Sequence, residues 1–114
     1  MSGISTHVLD TARGRPASGL HVTLESQSGE GRWSVVGKGT TDADGRIARL
    51  LPAGAELHPG LYRLTFDTQS YFVAQEEEGF FPRVVVTFEV RDPTQHYHVP
   101  LLLSPFGYSA YRGS

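Results

Sequence analysis

The chain has 114 residues, of which 39% are apolar and 19% charged, and its formal net charge at pH 7 is −2. This length supports one compact domain with a single hydrophobic core. The absence of cysteine excludes thiolate catalysis, thiolate metal sites and disulfides. The nearly balanced charge offers no basic surface for nucleic acid or an anionic membrane. We therefore expect one domain over residues 1–114, with neither nucleic acid nor a membrane as its partner.

The sequence contains neither a long apolar segment nor a recognisable secretory signal. A membrane-spanning helix needs about 18 or more consecutive apolar residues, and no window of the chain reaches that length. Residues 1–6 lack the charged and then apolar pattern of a signal peptide. We therefore expect a cytoplasmic protein.

Segments with alternating polar and apolar residues dominate the chain, and turns containing most of the 13 glycines and 7 prolines separate them. In one such segment Leu20, Val22 and Leu24 alternate with polar residues. A period of two is typical of a strand with one face on a core. The strands predicted in this way cover residues 6–11, 20–25, 33–41, 46–50, 62–67, 84–90, 95–103 and 108–113. They predict an all-β fold, an eight-stranded sandwich of two sheets.

One short helix is predicted between two of these strands, at Ser70–Glu78. Tyr71 and Phe72 are expected on its inward face. Thr68 is the expected cap at its start, and Gly79 marks its expected end. The acidic residues near its end are interpreted as a solvated tip.

The strand at residues 95–103 is apolar on both faces near its end. One face carries Tyr97, Val99, Leu101 and Leu103, and the other carries His96, His98, Pro100 and Leu102. A sandwich has one core between its sheets, so the outer face of this strand needs a cover, either a second copy of the chain or a ligand. If the first strand lies in the same sheet, this outer face also collects His7.

Three interpretations of these histidines are compared. They are interface residues with satisfied hydrogen bonds, metal ligands, or catalytic groups. A His-x-His pair such as His96 and His98 can point at one ion, but it needs a third ligand such as His7 or a carboxylate. No Asp or Glu shares the predicted face, so no metal site is predicted. The chain also lacks a Gly-x-Ser-x-Gly elbow and a phosphate-loop lysine.

Two segments carry a resemblance to a known family. Residues 7–16 read HVLDTARGRP and are similar to the first signature of the transthyretin-like family. Residues 97–109 read YHVPLLLSPFGYS and are similar to the second signature. The resemblance extends from Ser5 to Ser114 and covers nearly the whole chain. It implies an eight-stranded transthyretin-like sandwich with one short helix.

This family contains hormone-carrying transthyretins and hydrolases of 5-hydroxyisourate. The carriers have lysine at the position of His7, an acidic residue at the position of Arg46, and a longer tail that lacks the ending YRGS. This chain resembles the hydrolases in all of these features. The resemblance implies hydrolysis of 5-hydroxyisourate to 2-oxo-4-hydroxy-4-carboxy-5-ureidoimidazoline in urate catabolism, without a metal or other cofactor. It also implies a homotetramer, a dimer of dimers with its sites at the dimer–dimer interface.

The resemblance implies catalytic roles for His7, Arg46, His98 and Ser114, and substrate binding by His7, Arg46 and Tyr111. Either histidine is a candidate base, because an imidazole near a guanidinium resists protonation. The planar cation of Arg46 matches the carbonyl and imide edges of the substrate. Tyr111 is expected to stack on or hydrogen-bond to the flat ring, and Ser114 to orient water.

Other interpretations remain open at this level. From the residues alone, Arg46 is expected in a surface ion pair with Asp42 or Asp44. His96 shares a strand face with His98 and has no assigned role. A carrier that uses the same channel without chemistry, or a purely structural domain, is the alternative to an enzyme.

Overall fold

The computed structural model describes residues 3–114, which form nine strands and one helix. The strands are β1 (Gly3–Asp10), β2 (Arg15–Pro16), β3 (His21–Gln27), β4 (Trp33–Thr40), β5 (Arg46–Ile47), β6 (Gly60–Phe66), β7 (Val84–Val90), β8 (His96–Ser104) and β9 (Gly107–Ala110). The helix α1 (Thr68–Ala74) lies between β6 and β7. With seven residues, α1 is far shorter than a membrane-spanning helix, and residues 3–114 contain no other helix.

The strands form two sheets. The first sheet has the order β2-β1-β8-β9, with β5 also paired to β1, and the second has the order β4-β3-β6-β7. The pairing of β1 with β8 is parallel, and the other pairs within residues 3–114 are antiparallel. The predicted all-β sandwich with one short helix is confirmed.

The structure has nine strands rather than the predicted eight because two short strands, β2 and β5, both pair with β1 along the edge that β8 leaves free. Residues 15–16, which lie between two of the predicted strands, fold back and pair with Leu9 and Asp10 as β2. The strand predicted at residues 46–50 is limited to β5, which pairs with Thr6 and His7. Leu50 rejoins the same edge further along, where its N–H donates to the carbonyl of Ile4.

The core lies between the inward faces of the two sheets. Alternate residues of the long strands are at most 1% exposed, namely Ile4, Val8, Val22, Leu24, Leu64, Phe66, Leu101 and Leu103. Burying each such side chain stabilises the fold by about 1.5–3 kcal/mol. The predicted period of two is thus confirmed, and β1 and β8 are firmly anchored in the sandwich.

Helix α1 begins and ends at residues other than those predicted. The side chain of Asp67 caps its start by accepting a hydrogen bond from the N–H of Ser70. Thr68, the predicted cap, is instead fully buried, and its hydroxyl donates to the carbonyl of Phe81. The helix ends at Ala74, before Glu76 adopts a left-handed φ of 56°, so Gly79 lies outside it.

A buried carboxylate joins α1 to the end of β1. Asp10 is 1% exposed and accepts hydrogen bonds from the hydroxyl of Tyr71 at 2.7 Å and the N–H of Arg13 at 3.0 Å. Burial and the hydrogen bond to Asp10 both raise the pKa of Tyr71, so its hydroxyl stays protonated and keeps donating.

We expect Tyr71→Phe to lower the free energy of unfolding by about 1.5–3 kcal/mol, the range for a hydrogen bond to a charged group. Urea unfolding measures this change. The matched control is Tyr108→Phe, because Tyr108 is 45% exposed. Equal stability of the two variants would contradict a structural role for the bond between Tyr71 and Asp10.

Candidate active site

Three neighbouring strands bring the predicted site residues onto the outer face of the first sheet. His7 on β1 is paired directly with Arg46 on β5. On the other side of β1, Ser5 is paired with His98 on β8. Since alternate residues of a strand share a face, Ser5 and His7 point to the same side of the sheet. His7, Arg46 and His98 therefore lie on adjacent strands of one surface.

A tight turn positions Arg46. The carboxylate of Asp42 accepts hydrogen bonds from the N–H groups of Asp44 and Arg46, each at 2.9 Å. Gly45 adopts a φ of +75°, and a Cβ there would lie 2.4 Å from the carbonyl oxygen of Val8. Only glycine fits this conformation and this close approach.

The guanidinium of Arg46 is available to a ligand. The side chain is exposed, and no ion pair formed within residues 3–114 includes it. The surface ion pair with Asp42 or Asp44 that the residues alone predicted is therefore wrong, because the Asp42 carboxylate binds backbone amides of the turn.

The tautomer of His7 follows from its hydrogen bond. Its Nε2 lies 2.9 Å from the carbonyl oxygen of Asp44. A carbonyl oxygen only accepts, so Nε2 carries the proton in this contact. In neutral His7 the lone pair is then on Nδ1, which is the nitrogen able to accept a proton.

His98 is half-buried, and its Nδ1 lies 2.8 Å from the hydroxyl oxygen of Ser5. Burial lowers the pKa of His98, and the nearby charges of Arg46, His7 and His96 lower it further. Since the ordinary pKa of histidine is about 6.5, the imidazole of His98 is neutral at pH 7.

We expect His98 to titrate below its ordinary pKa of about 6.5, and its pKa to move upward in Arg46→Gln, because that change removes a repelling positive charge. NMR titration of the ring resonances measures both values. Arg49→Gln is the matched control, since Arg49 is not among the groups that lower the pKa of His98. An unchanged pKa in Arg46→Gln would show that the guanidinium does not act on His98.

The end of the chain continues β9 alongside β8. Gly113 pairs with His98 in the register that β9 sets, and its N–H donates to the carbonyl of His98 at 2.8 Å. Pro100 has no N–H to donate, which explains the gap in the ladder between β9 and Gly113. A Cβ on Gly113 would lie 2.7 Å from Cδ2 of His98. The imidazole of His98 therefore occupies space that a side chain larger than that of glycine would need at position 113.

An open cavity of about 310 Å³ joins these elements. This volume is at the lower end of the range for small-molecule sites. Its lining comprises Ser5, Thr6, Arg46, Ile47, Ala48, His96, His98 and Ser114. The predicted residues Arg46, His98 and Ser114 thus border one space, with His7 directly paired to Arg46.

Tyr111 lies elsewhere in the single chain. It is 54% exposed and borders a separate cavity of about 230 Å³, together with Phe88 and Tyr97. Tyr111 therefore does not line the cavity that Arg46, His98 and Ser114 border, and its predicted role in substrate binding stays a prediction. In the part of the chain that the structure describes, no group of three or more His, Asp or Glu side chains could hold a metal ion.

Sequence reasoning missed Ser5 and Gly113 and left His96 unassigned. Ser5 is buried beneath two imidazoles, with its oxygen 2.8 Å from Nε2 of His96 as well as 2.8 Å from Nδ1 of His98. The available signal was alternation, since Ser5 and His7 share a face of the first strand.

Comparison with known proteins identifies the family of the chain. The sequence profile of the HIUase/Transthyretin family matches residues 4–113. The chain belongs to this family. The resemblance inferred from the two signature segments is thereby confirmed. This HIUase/Transthyretin family member is 47% identical over 111 residues to the 5-hydroxyisourate hydrolase of Salmonella dublin, a match that covers 97% of this chain and 80% of that protein.

Solved structures from the family resemble the chain over its full length. The 5-hydroxyisourate hydrolase of Klebsiella pneumoniae has a TM-score of 0.84 and 38% identity, covering 100% of this chain and 94% of that one. Transthyretin from Sparus aurata has a TM-score of 0.91 and 30% identity, covering 99% of this chain and 97% of that one. The fold is therefore common to both kinds of protein, and the residues at the site must distinguish them.

Proposed function

We propose that this protein is a 5-hydroxyisourate hydrolase of urate catabolism, which opens the six-membered ring of its substrate by adding water at a lactam carbonyl. The product is 2-oxo-4-hydroxy-4-carboxy-5-ureidoimidazoline. The observation that carries the proposal is the grouping of His7, Arg46 and His98 on adjacent strands, with Arg46 and His98 lining an open cavity. The identity with the hydrolases supports the same function.

The chemistry requires a base, a stabiliser of negative charge and an acid. We assign the base to the pair of His7 and His98, whose free ring nitrogens are Nδ1 and Nε2 respectively. A neutral imidazole takes a proton from water as the oxygen attacks the carbonyl carbon. The guanidinium of Arg46 stabilises the oxyanion of the tetrahedral intermediate. The imidazolium then donates its proton to the departing ring nitrogen, and the C–N bond breaks.

Two further residues complete the proposed site. Ser114 borders the cavity beside His98 and Arg46, where its hydroxyl can orient the attacking water. Tyr111 is assigned to the flat face of the substrate, contributed by a neighbouring protomer. These assignments require only side chains of this protein, supplied by one protomer and its neighbour, and no cofactor takes part in the proposed steps.

We extend the proposal to a homotetramer, a dimer of dimers with the cavities at the dimer–dimer interface, in the cytoplasm. The support is the outer face of the first sheet, where Leu9 and Leu102 are paired with each other and only partly covered. An open cavity that faces a second protomer would be closed to bulk water, which strengthens the electrostatic effect of Arg46.

Ultraviolet absorbance of freshly prepared 5-hydroxyisourate, with and without the protein, tests the function. A hydrolase accelerates the decay of the substrate band in proportion to the protein concentration. A carrier binds the compound without consuming it, and a structural domain leaves it unaffected. Decay at the spontaneous rate would therefore overturn the proposal.

A further inference from the structure

The hydroxyl of Ser5 connects two histidines that differ in their exposure to solvent. Its oxygen is 2.8 Å from Nδ1 of His98 and 2.8 Å from Nε2 of His96. Ser5 is 7% exposed, His98 is half-buried at the cavity and His96 is exposed at the beginning of β8. The three side chains form a hydrogen-bonded chain from half-buried His98 to exposed His96, and both imidazoles line the cavity.

The number of donors and acceptors limits where the protons can lie in the hydrogen bonds that join His98, Ser5 and His96. Ser5 has one proton to donate and two lone pairs to accept with. If Ser5 accepts hydrogen bonds from both imidazoles, its own O–H donates to neither of them. A buried donor without an acceptor costs about 1–3 kcal/mol. The favoured arrangements therefore run in one direction, with one imidazole donating to Ser5 and Ser5 donating to the other.

The two directions have opposite effects on the cavity. When His98 donates from Nδ1, its lone pair is on Nε2, which forms no hydrogen bond within residues 3–114. When Ser5 donates to Nδ1, the proton of neutral His98 is on Nε2 and the ring cannot act as a base there. The direction of the hydrogen bonds through Ser5 thus decides whether Nε2 of His98 accepts or donates a proton at the cavity.

We propose that Ser5 and His96 form a proton relay that holds neutral His98 with its proton on Nδ1 and its Nε2 free to accept a proton. The proposal rests on the hydrolase function and adds two positioning residues to it. Neutral His96 accepts at Nε2 from Ser5, which in turn accepts from Nδ1 of His98.

The relay also moves positive charge from the half-buried imidazole of His98 to the exposed imidazole of His96. After Nε2 of His98 takes a proton from water, the Nδ1 proton passes to the oxygen of Ser5, and the hydroxyl proton of Ser5 passes to Nε2 of His96. Only N–H and O–H bonds change, and the positive charge moves to His96. An exposed imidazolium is better hydrated than one half-buried beside Arg46 and His7. Reversal returns the proton to His98, which donates it from Nε2 to the departing nitrogen.

Kinetic measurements on the full-length protein test the relay. We expect Ser5→Ala to lower kcat about tenfold to a hundredfold, with little change in KM. This loss is part of the rate enhancement that a positioned general base contributes. Ser5→Thr retains the hydroxyl and is expected to recover most of this activity. His96→Gln is expected to lower kcat less than Ser5→Ala, and the double variant is expected to be no slower than Ser5→Ala alone, because both changes interrupt the same chain.

Two matched controls separate the relay from general effects of these substitutions. His21 is an exposed strand histidine whose Nδ1 contacts the hydroxyl of Thr40 at 2.9 Å, so His21→Gln repeats the change on the other sheet. Ser34→Ala removes an exposed strand hydroxyl from β4. Both are expected to keep the wild-type kcat. Multiplicative losses in the double variant would overturn the relay.

Nitrogen-15 NMR of histidine-labelled protein gives a readout that does not depend on turnover. At about pH 8, above the ordinary pKa of histidine, we expect His98 to carry its proton on Nδ1 in the wild type. We expect Ser5→Ala to shift the proton towards Nε2. A wild-type proton on Nε2, or an unchanged tautomer in Ser5→Ala, would overturn the relay. Failure of the wild type to consume 5-hydroxyisourate would instead overturn the proposed function.

Discussion

Arg46→Ala is expected to fold normally and to lower kcat for 5-hydroxyisourate by about a hundredfold to a thousandfold, the usual effect of removing one donor to an oxyanion. The fold tolerates the change because the side chain is exposed and forms no ion pair within residues 3–114. The backbone of Arg46 keeps its hydrogen bond to Asp42 in the variant. Steady-state kinetics followed by ultraviolet absorbance measure the loss.

Two comparisons define what the guanidinium contributes. Arg46→Lys keeps the positive charge but loses the planar fork, so we expect its activity to lie between those of the wild type and Arg46→Ala. Arg49→Ala removes an arginine that lies only three positions away and borders a different cavity, and we expect it to keep full activity. Near-normal turnover by correctly folded Arg46→Ala would remove Arg46 from the proposed mechanism.

The fold was predictable in the strands where buried and exposed residues alternate along the sequence. Strands β3 and β6 have a single buried face, and alternation of Val22, Leu24, Leu64 and Phe66 with less buried residues reveals it directly. The edge of β1 was not predictable in the same way, since β2 and β5 are each two residues long and exist because the chain folds back onto β1. Two residues are too few to show a period.

The site residues that lie in recognisable sequence motifs were predictable. The contacts that depend on the pairing register of the strands were not. His7, Arg46 and His98 belong to segments that the family resemblance covers. Ser5 contacts His98 across 93 positions of sequence because β1 and β8 pair in parallel. That register is a property of the assembled sheet, so alternation places Ser5 on the face of His7 but does not reveal its contact with His98.

The end of helix α1 gives a smaller example of the same limit. A glycine just after the last residue of a helical segment is typical of a helix end, which favoured Gly79. The chain instead leaves the helix earlier, and a Cβ at Gly79 would lie 2.4 Å from the ring of Phe72. Close packing of the loop on Phe72 accounts for this glycine.

Deletion of residues 111–114 is expected to leave the sandwich folded and to lower kcat by more than about a hundredfold, since misplacement of a reacting group by about 1 Å already has an effect of that size. The deletion removes Ser114 from the cavity and the hydrogen bond from Gly113 to the carbonyl of His98. The remaining β9 still pairs with β8 over residues 107–110. Circular dichroism and the absorbance assay measure structure and turnover separately.

Gly113→Ala tests the same segment with a single added methyl group. That group would lie 2.7 Å from Cδ2 of His98 and 3.1 Å from Cγ of Pro100, so either the imidazole or the tail must move. We expect a loss of about tenfold to a hundredfold in kcat, because the proposed base leaves its position. Gly107→Ala is the matched control, since a Cβ there would meet only Oγ of Ser104, at 3.7 Å. Equal activity of the two variants would show that the tail does not position His98.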